Sequence, residues 1–134
     1  MNPDGFILDT SAILTLIEDE KGADRVDQVL RTERVWMPWL VLLEVSYITR
    51  QERGEAEADR RYALMKQLPV TILWSVDEPT LLTAARIKAS CHLSLADAVI
   101  AAFTMQLNAI LLHKDPEFEA LAGQLFPEAL PYKS

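Results

Sequence analysis

Residues 93–115 read Leu-Ser-Leu-Ala-Asp-Ala-Val-Ile-Ala-Ala-Phe-Thr-Met-Gln-Leu-Asn-Ala-Ile-Leu-Leu-His-Lys-Asp. Ser94 is a capping residue, and the stretch behind it predicts a helix over 95–107. Ala109 to Leu112 is continuously apolar, which predicts a strand buried on both faces. Each element carries an acid where apolar neighbours should exclude one. Asp97 precedes Ala98-Val99-Ile100-Ala101-Ala102, and Asp115 comes two residues after the run that ends at His113.

The same alternation extends outward along the chain. Phe6-Ile7-Leu8 reads as a first strand, closed by Asp9 and followed by a helix over Ser11 to Ile17. Ala23 to Arg31 carries Val26, Val29 and Leu30 at helical spacing. Val35-Trp36-Met37 is a second strand, and Pro38 starts a helix that runs to about Arg53, with Gly54 as its stop. Glu55 to Gln67 predicts a further helix, and Pro69 separates it from the strand Val70 to Leu73. Ser75 or Asp77 caps the next helix, which carries Leu81, Leu82, Ala85 and Ile87. A short helix over Pro116 to Leu121 follows the last strand, and the tail with Pro127, Pro131 and Tyr132 is expected to pair or pack only loosely. Strands separated by helices imply crossover connections and a mainly parallel sheet covered on both faces, an α/β fold. Such sheets form their sites at the carboxyl ends of the strands, where Asp9 and Asp115 fall. Asp97 and Glu44 lie within helices and reach that edge only if those helices pack there.

At 134 residues, half of them apolar and a quarter charged, the chain is expected to be one globular domain over 1–134. Its single cysteine, Cys91, allows no intramolecular disulfide, in keeping with a reducing compartment. Met1 to Gly5 lack the basic start of a secretion signal, and no apolar run approaches the roughly 20 residues that span a bilayer. The expectation is a cytoplasmic protein with no membrane association. A formal net charge of −7 argues against strong non-specific nucleic-acid binding. Arg50, Arg53, Arg60, Arg61 and Lys66 are interleaved with Glu52, Glu55, Glu57 and Asp59, the pattern of a solvated helical face. Trp36, Trp39 and Trp74 lie beside strands and are read as core rather than as stacking platforms. His92 and His113 have no zinc-ligand spacing, and phosphate-loop, dinucleotide and nucleophile-elbow motifs are absent.

The acids carry the functional signal as a set. Singly, three have a plain structural role. Asp9-Thr10-Ser11 is good capping sequence, Ser94 with Asp97 resembles a capping box, and Asp115-Pro116 is a common helix start. Glu44 resists that reading. It interrupts Leu40-Val41-Leu42-Leu43 and Val45, and shares a stripe with Leu40 and Ile48, so it needs either an arginine or a metal as partner. Converging carboxylates repel one another and call for a hard divalent cation with oxygen ligands, which suits phosphodiester cleavage.

On these residues the chain resembles a PIN-domain ribonuclease, in particular the VapC-like toxins of prokaryotic toxin–antitoxin pairs. The resemblance is carried by Phe6 to Ala12, by Leu43-Glu44-Val45, by Leu93 to Ala102, and by Ile110 to Phe118. It implies a three-layer α/β/α, PIN-like fold and a catalytic and metal-holding quartet of Asp9, Glu44, Asp97 and Asp115. It implies that Ser11 orders the first acid and that Glu117 stands as a fifth. It further implies Mg²⁺ or Mn²⁺, an RNA substrate, a homodimer, and a cognate antitoxin that inserts a peptide into the active-site groove. His113 departs from the family pattern, which has Thr or Ser two residues before the last acid. Arg50, Arg53 and Lys114 are the local cations expected to grip RNA. Two other readings compete: a catalytically silent PIN-like binding module, and a metal-dependent phosphoesterase acting on DNA or small phosphates. The complete quartet weighs against the first, and a substrate panel separates the second.

Overall fold

The computed structural model describes residues 2–133; Met1 and Ser134, the two ends of the expected 1–134 domain, lie outside the described residues. Five strands, β1 (Phe6–Leu8), β2 (Val35–Pro38), β3 (Thr71–Leu73), β4 (Ile110–His113) and β5 (Phe126–Ala129), form one sheet in the order β3-β2-β1-β4-β5. Every pairing is parallel, with Ile7 opposite Trp36 on one side and Leu111 on the other. β1 is central, and Phe6, Ile7 and Leu8 are all buried, as a strand covered on both faces requires.

The helices are α1 (Thr10–Ile17), α2 (Ala23–Thr32), α3 (Trp39–Arg53), α4 (Glu55–Lys66), α5 (Glu78–Ser90) and α6 (Leu95–Gln106), followed by a short 3-10 helix at Pro116–Leu121. α1 packs on α2 and α3, and α3 on α4, whereas α5 packs on α6. Right-handed crossovers put the first group on one face of the sheet and the α5–α6 pair on the other, giving three layers. Gly54, at φ +92°, ends α3 and admits α4 at once, because only glycine takes that backbone without strain. Asp77, rather than Ser75, caps α5 by accepting the Thr80 N–H at 2.9 Å.

Three expectations are corrected. The tail does not pack loosely: Phe126–Ala129 pairs with β4 over four registered residues. Its pattern is hard to see because an edge strand is exposed along most of its length and tolerates Pro127. Arg61 is not on a solvated face. It is 4 % exposed, and its guanidinium bonds Glu57 at 2.8 Å and Glu18 at 3.2 Å, fastening α4 to the end of α1. Trp74 is not core. It is 56 % exposed and lies under the Lys66 ammonium, 5.1 Å from the ring centroid. Among the described residues no helix is long and apolar enough to cross a membrane.

Candidate metal centre

The strand order reverses at β1. From there the chain builds toward β2 and β3 on one side and, later, toward β4 and β5 on the other. The crevice above the carboxyl ends of β1 and β4 is therefore the switch point where parallel sheets place their sites. A turn of only three residues joins α6 to β4, so α6 runs antiparallel to β4 and starts above this same edge. α3 leaves β2 directly and begins there too. Topology thus brings two loop acids and two helix acids to one place.

Asp9 follows β1 and is the N-cap of α1, where its Oδ1 accepts the Ala12 N–H at 2.8 Å. The Ser11 hydroxyl lies 2.7 and 2.8 Å from its two oxygens and shares one hydrogen between them. Ser11 Oγ also accepts the Lys114 N–H at 2.8 Å, which ties the end of β1 to the end of β4. Asp9 is thus a cap that also feels the charges of Asp97 and Asp115. Asp9 is 2 % exposed. Burial pushes its pKa up to about 7 against the Ala12 and Ser11 bonds, with the Asp97 and Asp115 charges adding to the rise.

Asp97 is the third residue of α6, and its N–H donates to Ser94 Oγ at 3.1 Å. The backbone is used for capping, so the carboxylate is left for the crevice. Burial and then the Glu44, Asp115 and Glu117 charges push its pKa up to about 6 against the Ser94 bond. Asp115 caps the 3-10 helix by accepting the Glu117 N–H at 3.0 Å. Oxygen atoms of Asp97, Asp115 and Glu117 all lie within 4.8 Å of one another. Glu117 therefore stands with Asp97 and Asp115, whereas Asp9 and Glu44 lie outside that group of three and interact with it through the charge of Asp97.

Glu44 is half-buried, and among the described residues it pairs with no arginine: it accepts the Thr10 hydroxyl at 2.6 Å. Thr10 is a residue that sequence reading missed as a site residue. Its signal was the pair of consecutive hydroxyls after Asp9, of which Ser11 faces Asp9 and Thr10 faces α3. His113 is buried at the end of β4, with its ring edge-on to Phe118 at 5.2 Å. Its Nδ1 accepts the Asp115 N–H at 3.1 Å, so the hydrogen of the neutral ring sits on Nε2. Burial lowers its pKa. In place of a hydroxyl residue the histidine holds the Asp115 backbone, and its Nδ1 is committed to that bond rather than to a metal.

The donor set is all carboxylate oxygen, the chemistry of a hard cation such as Mg²⁺ or Mn²⁺ rather than zinc. Burial first and neighbouring acids second raise the pKa values of Asp9 and Asp97, and among the described residues neither carboxylate pairs with a cation. The residues present fit such an ion. The cations expected to grip RNA are engaged elsewhere. Arg50 pairs with Glu55 and Asp59, Arg53 with Glu18, and Lys114 Nζ with Glu20 at 3.5 Å.

The fold and the site define an all-parallel α/β domain with a cluster of carboxylates at the switch point of its sheet. The PIN domain family matches residues 6–124, and the chain belongs to that family. Among solved structures, VapBC2 from Rickettsia felis, bound to a DNA fragment from its promoter, superposes with a TM-score of 0.77 at 13% identity, covering 94% of this chain and 98% of that one. VapC20 from Mycobacterium tuberculosis, described as a Sarcin-Ricin loop cleaving toxin, gives 0.74 at 18% identity over 95% and 100% of the two chains. VapBC-1 from nontypeable Haemophilus influenzae gives 0.71 at 21% identity over 92% and 96%. At these identities the likeness is one of fold. No curated protein matches the sequence.

Proposed function

We propose that the chain, residues 1–134, is a single PIN-like domain that cleaves RNA phosphodiester bonds with Mg²⁺ or Mn²⁺, as the toxin of a toxin–antitoxin pair. The observation that carries this reading is the convergence of Asp97, Asp115 and Glu117 within 4.8 Å, beside Asp9 and Glu44, with no ion pair to any of the five among the described residues. Membership of the PIN family supports a nuclease. Solved structures of like fold that are toxin–antitoxin complexes support the toxin role and a cognate antitoxin.

Asp97, Asp115 and Glu117 would hold the ion, with Asp9 beneath them and Glu44 positioned to orient a water. A bound divalent cation supplies a more acidic water and offsets charge on the phosphate oxygens. Ser11 keeps Asp9 and the β4 end in fixed register, and His113 keeps Asp115 in place, so the carboxylates need little rearrangement when substrate arrives.

Two apolar surfaces support the expected protein partners. A groove of about 390 Å³ between α3 and α4, lined by Trp39, Leu42, Leu43, Tyr62 and Trp74, suits an amphipathic antitoxin segment. On the other layer α5 buries Thr80, Thr83, Ala84 and Ile87 and leaves Leu81 and Leu82 exposed, and Leu81 shares a groove with Leu95 and Val99 of α6. That strip suits the second subunit of a homodimer.

The test is incubation of antitoxin-free protein with total RNA in Mg²⁺, Mn²⁺ or EDTA, beside Asp97→Asn. The expected result is discrete fragments that need metal and vanish in the variant. Fragments that persist in EDTA or in Asp97→Asn would sink the reading.

A further inference from the structure

Two consecutive hydroxyls follow Asp9, and they serve opposite sides of the crevice. Ser11 bonds Asp9, and Thr10 donates across to Glu44 Oε1 at 2.6 Å. The direction of the Thr10 bond follows from its place in the chain. Thr15, Thr32 and Thr104 donate their hydroxyl hydrogens to the carbonyl four residues earlier in their own helices. Thr10 is the first residue of α1, and the residue four before it is Phe6, in β1. No helical turn precedes Thr10, so its single hydroxyl hydrogen is free for a partner on another element. α3 packs against α1 and supplies Glu44 as that partner.

The bond is not needed to hold the two helices together. α1 and α3 both contribute to the core, through Ile13, Val41 and Val45, and Arg53 of α3 pairs with Glu18 at the end of α1. A glutamate is also a poor choice for a structural staple here. It brings a charge to a half-buried position beside Asp97, whose carboxyl that charge pushes up. What the bond does fix is the side chain. Glutamate has much rotamer freedom to lose, and the β-branched threonine, stiff about its first side-chain bond, offers a donor in a set direction. Oε1 is committed to Thr10, and Oε2 is left for another donor. Glu44 does not join Asp97, Asp115 and Glu117, whose oxygens lie within 4.8 Å of one another.

We propose that Thr10 is a positioning residue that holds Glu44 beside, and out of, the Asp97–Asp115–Glu117 group, so that Oε2 accepts a hydrogen bond from the attacking water instead of ligating the ion. The inference rests on the nuclease reading and adds to it the residue that separates the acid that orients from the acids that ligate. Without the tether Glu44 is free to turn toward an ion at the cluster, and the water loses its acceptor.

The experiment compares full-length wild type with Thr10→Val, Thr10→Ser, Glu44→Gln and the double variant Thr10→Val with Glu44→Gln. Valine keeps the shape of threonine and loses the donor, whereas serine keeps the donor. The first readout needs no metal. In protein labelled with carbon-13 on glutamate, the γ-methylene protons of Glu44 are expected as separate NMR signals in wild type and Thr10→Ser, and merged in Thr10→Val. Glu44→Gln identifies the signals by removing them. In Mg²⁺, Thr10→Val is expected to lower kcat for RNA cleavage about tenfold to a hundredfold with KM unchanged, the scale of a misplaced catalytic group, and Thr10→Ser to recover most of the loss. Adding Thr10→Val to Glu44→Gln should cost nothing further, because the two residues act as one unit. Mn²⁺ affinity, read by electron paramagnetic resonance, should not fall in Thr10→Val. Glu44 signals that stay separate in Thr10→Val overturn the tether, and so does a Thr10→Val protein that cleaves like wild type. A fall in Mn²⁺ affinity in that variant makes the tethered Glu44 a ligand and overturns the assignment. Signals that merge as expected in a protein whose wild type cleaves no RNA in Mg²⁺ or Mn²⁺ overturn the nuclease and leave the tether standing.

Discussion

The carboxylates at the sheet edge and those on the α3–α4 arm are the same chemical group in opposite circumstances. On the arm, Glu57 bonds Arg60 at 2.6 Å and Arg61 at 2.8 Å, and the two guanidiniums hold its pKa down at about 2. At the sheet edge, burial and neighbouring acids push Asp9 up to about 7 and Asp97 up to about 6. One region carries its counter-charges in its own sequence. The other has been built without them, which is a cost to folding unless an ion from solution supplies the charge. A charge cluster balanced internally is architecture, and one left unbalanced in a crevice is where a ligand belongs.

The largest effect that can break this contrast is on activity. Asp97→Asn should lower metal-dependent RNA cleavage by at least about a hundredfold, the scale of losing one charge contact to a transition state, with an unchanged circular dichroism spectrum. Retained cleavage would mean that Asp97 is not part of the machinery. On the arm the effect should be on stability alone. Arg61→Ala empties a buried site between Glu18 and Glu57 and should cost about 1–3 kcal/mol in denaturant unfolding, less than breaking a fully buried pair because Glu18 keeps Arg53 and Glu57 keeps Arg60. Cleavage per folded molecule should not change.

Asp9→Asn should move stability the other way. Asparagine can still accept the Ala12 N–H but carries no charge to bury, so the metal-free protein should gain about 1–2 kcal/mol near neutral pH while losing its response to Mg²⁺. A loss of metal-free stability in this variant would show that the buried charge is compensated after all.

The two regions should also separate by pH. The folded pKa of Asp9, about 7, lies above its ordinary 3.8, so between these values the folded state keeps a proton that the unfolded state has released. Metal-free stability contributed by this group therefore falls as pH rises toward 7. Glu57 is shifted down instead, so its contribution is present above its ordinary 4.5 and is lost as pH falls toward 2. In EDTA the melting temperature should be higher at about pH 5 than at about pH 8, and Mg²⁺ should raise it more at the higher pH, because the ion needs ionised carboxylates. A melting temperature in EDTA that climbs from the lower pH to the higher would contradict the burial of Asp9 as an uncompensated charge. The smallest effect belongs to Trp74→Ala. With the ring largely in solvent, stability should change by no more than about 0.5 kcal/mol, while affinity for an antitoxin seated in the α3–α4 groove should drop.

Most of the element pattern was legible because it depends on local chemistry. Continuous apolar runs marked β1 and β4, Gly54 marked the break between α3 and α4, and Ser94 marked the start of α6. Boundaries moved by a residue or so, as with β3 beginning at Thr71 rather than Val70. The acids were legible for the same reason: Glu44 inside an apolar stripe is an anomaly that needs no structure to see. Other features depend on partners distant in the chain. β5 has neither continuous apolar character nor alternation and exists through its pairing with β4. Thr10 became relevant only when α3 brought Glu44 beside it. Arg61 reads like its neighbour Arg60, and only packing against Glu18 and Thr49 buries one and not the other.

The sequence by itself determined the helices, most of their caps and every strand but β5, because propensity, capping and hydrophobic period act over a few residues. Only the tertiary structure decided which charges meet. It set the Asp97, Asp115 and Glu117 oxygens together, paired Glu57 with arginines, and laid Lys133 of the tail against Glu20. Electrostatic energy depends on distance through space and on burial, and neither is a property of position along the chain.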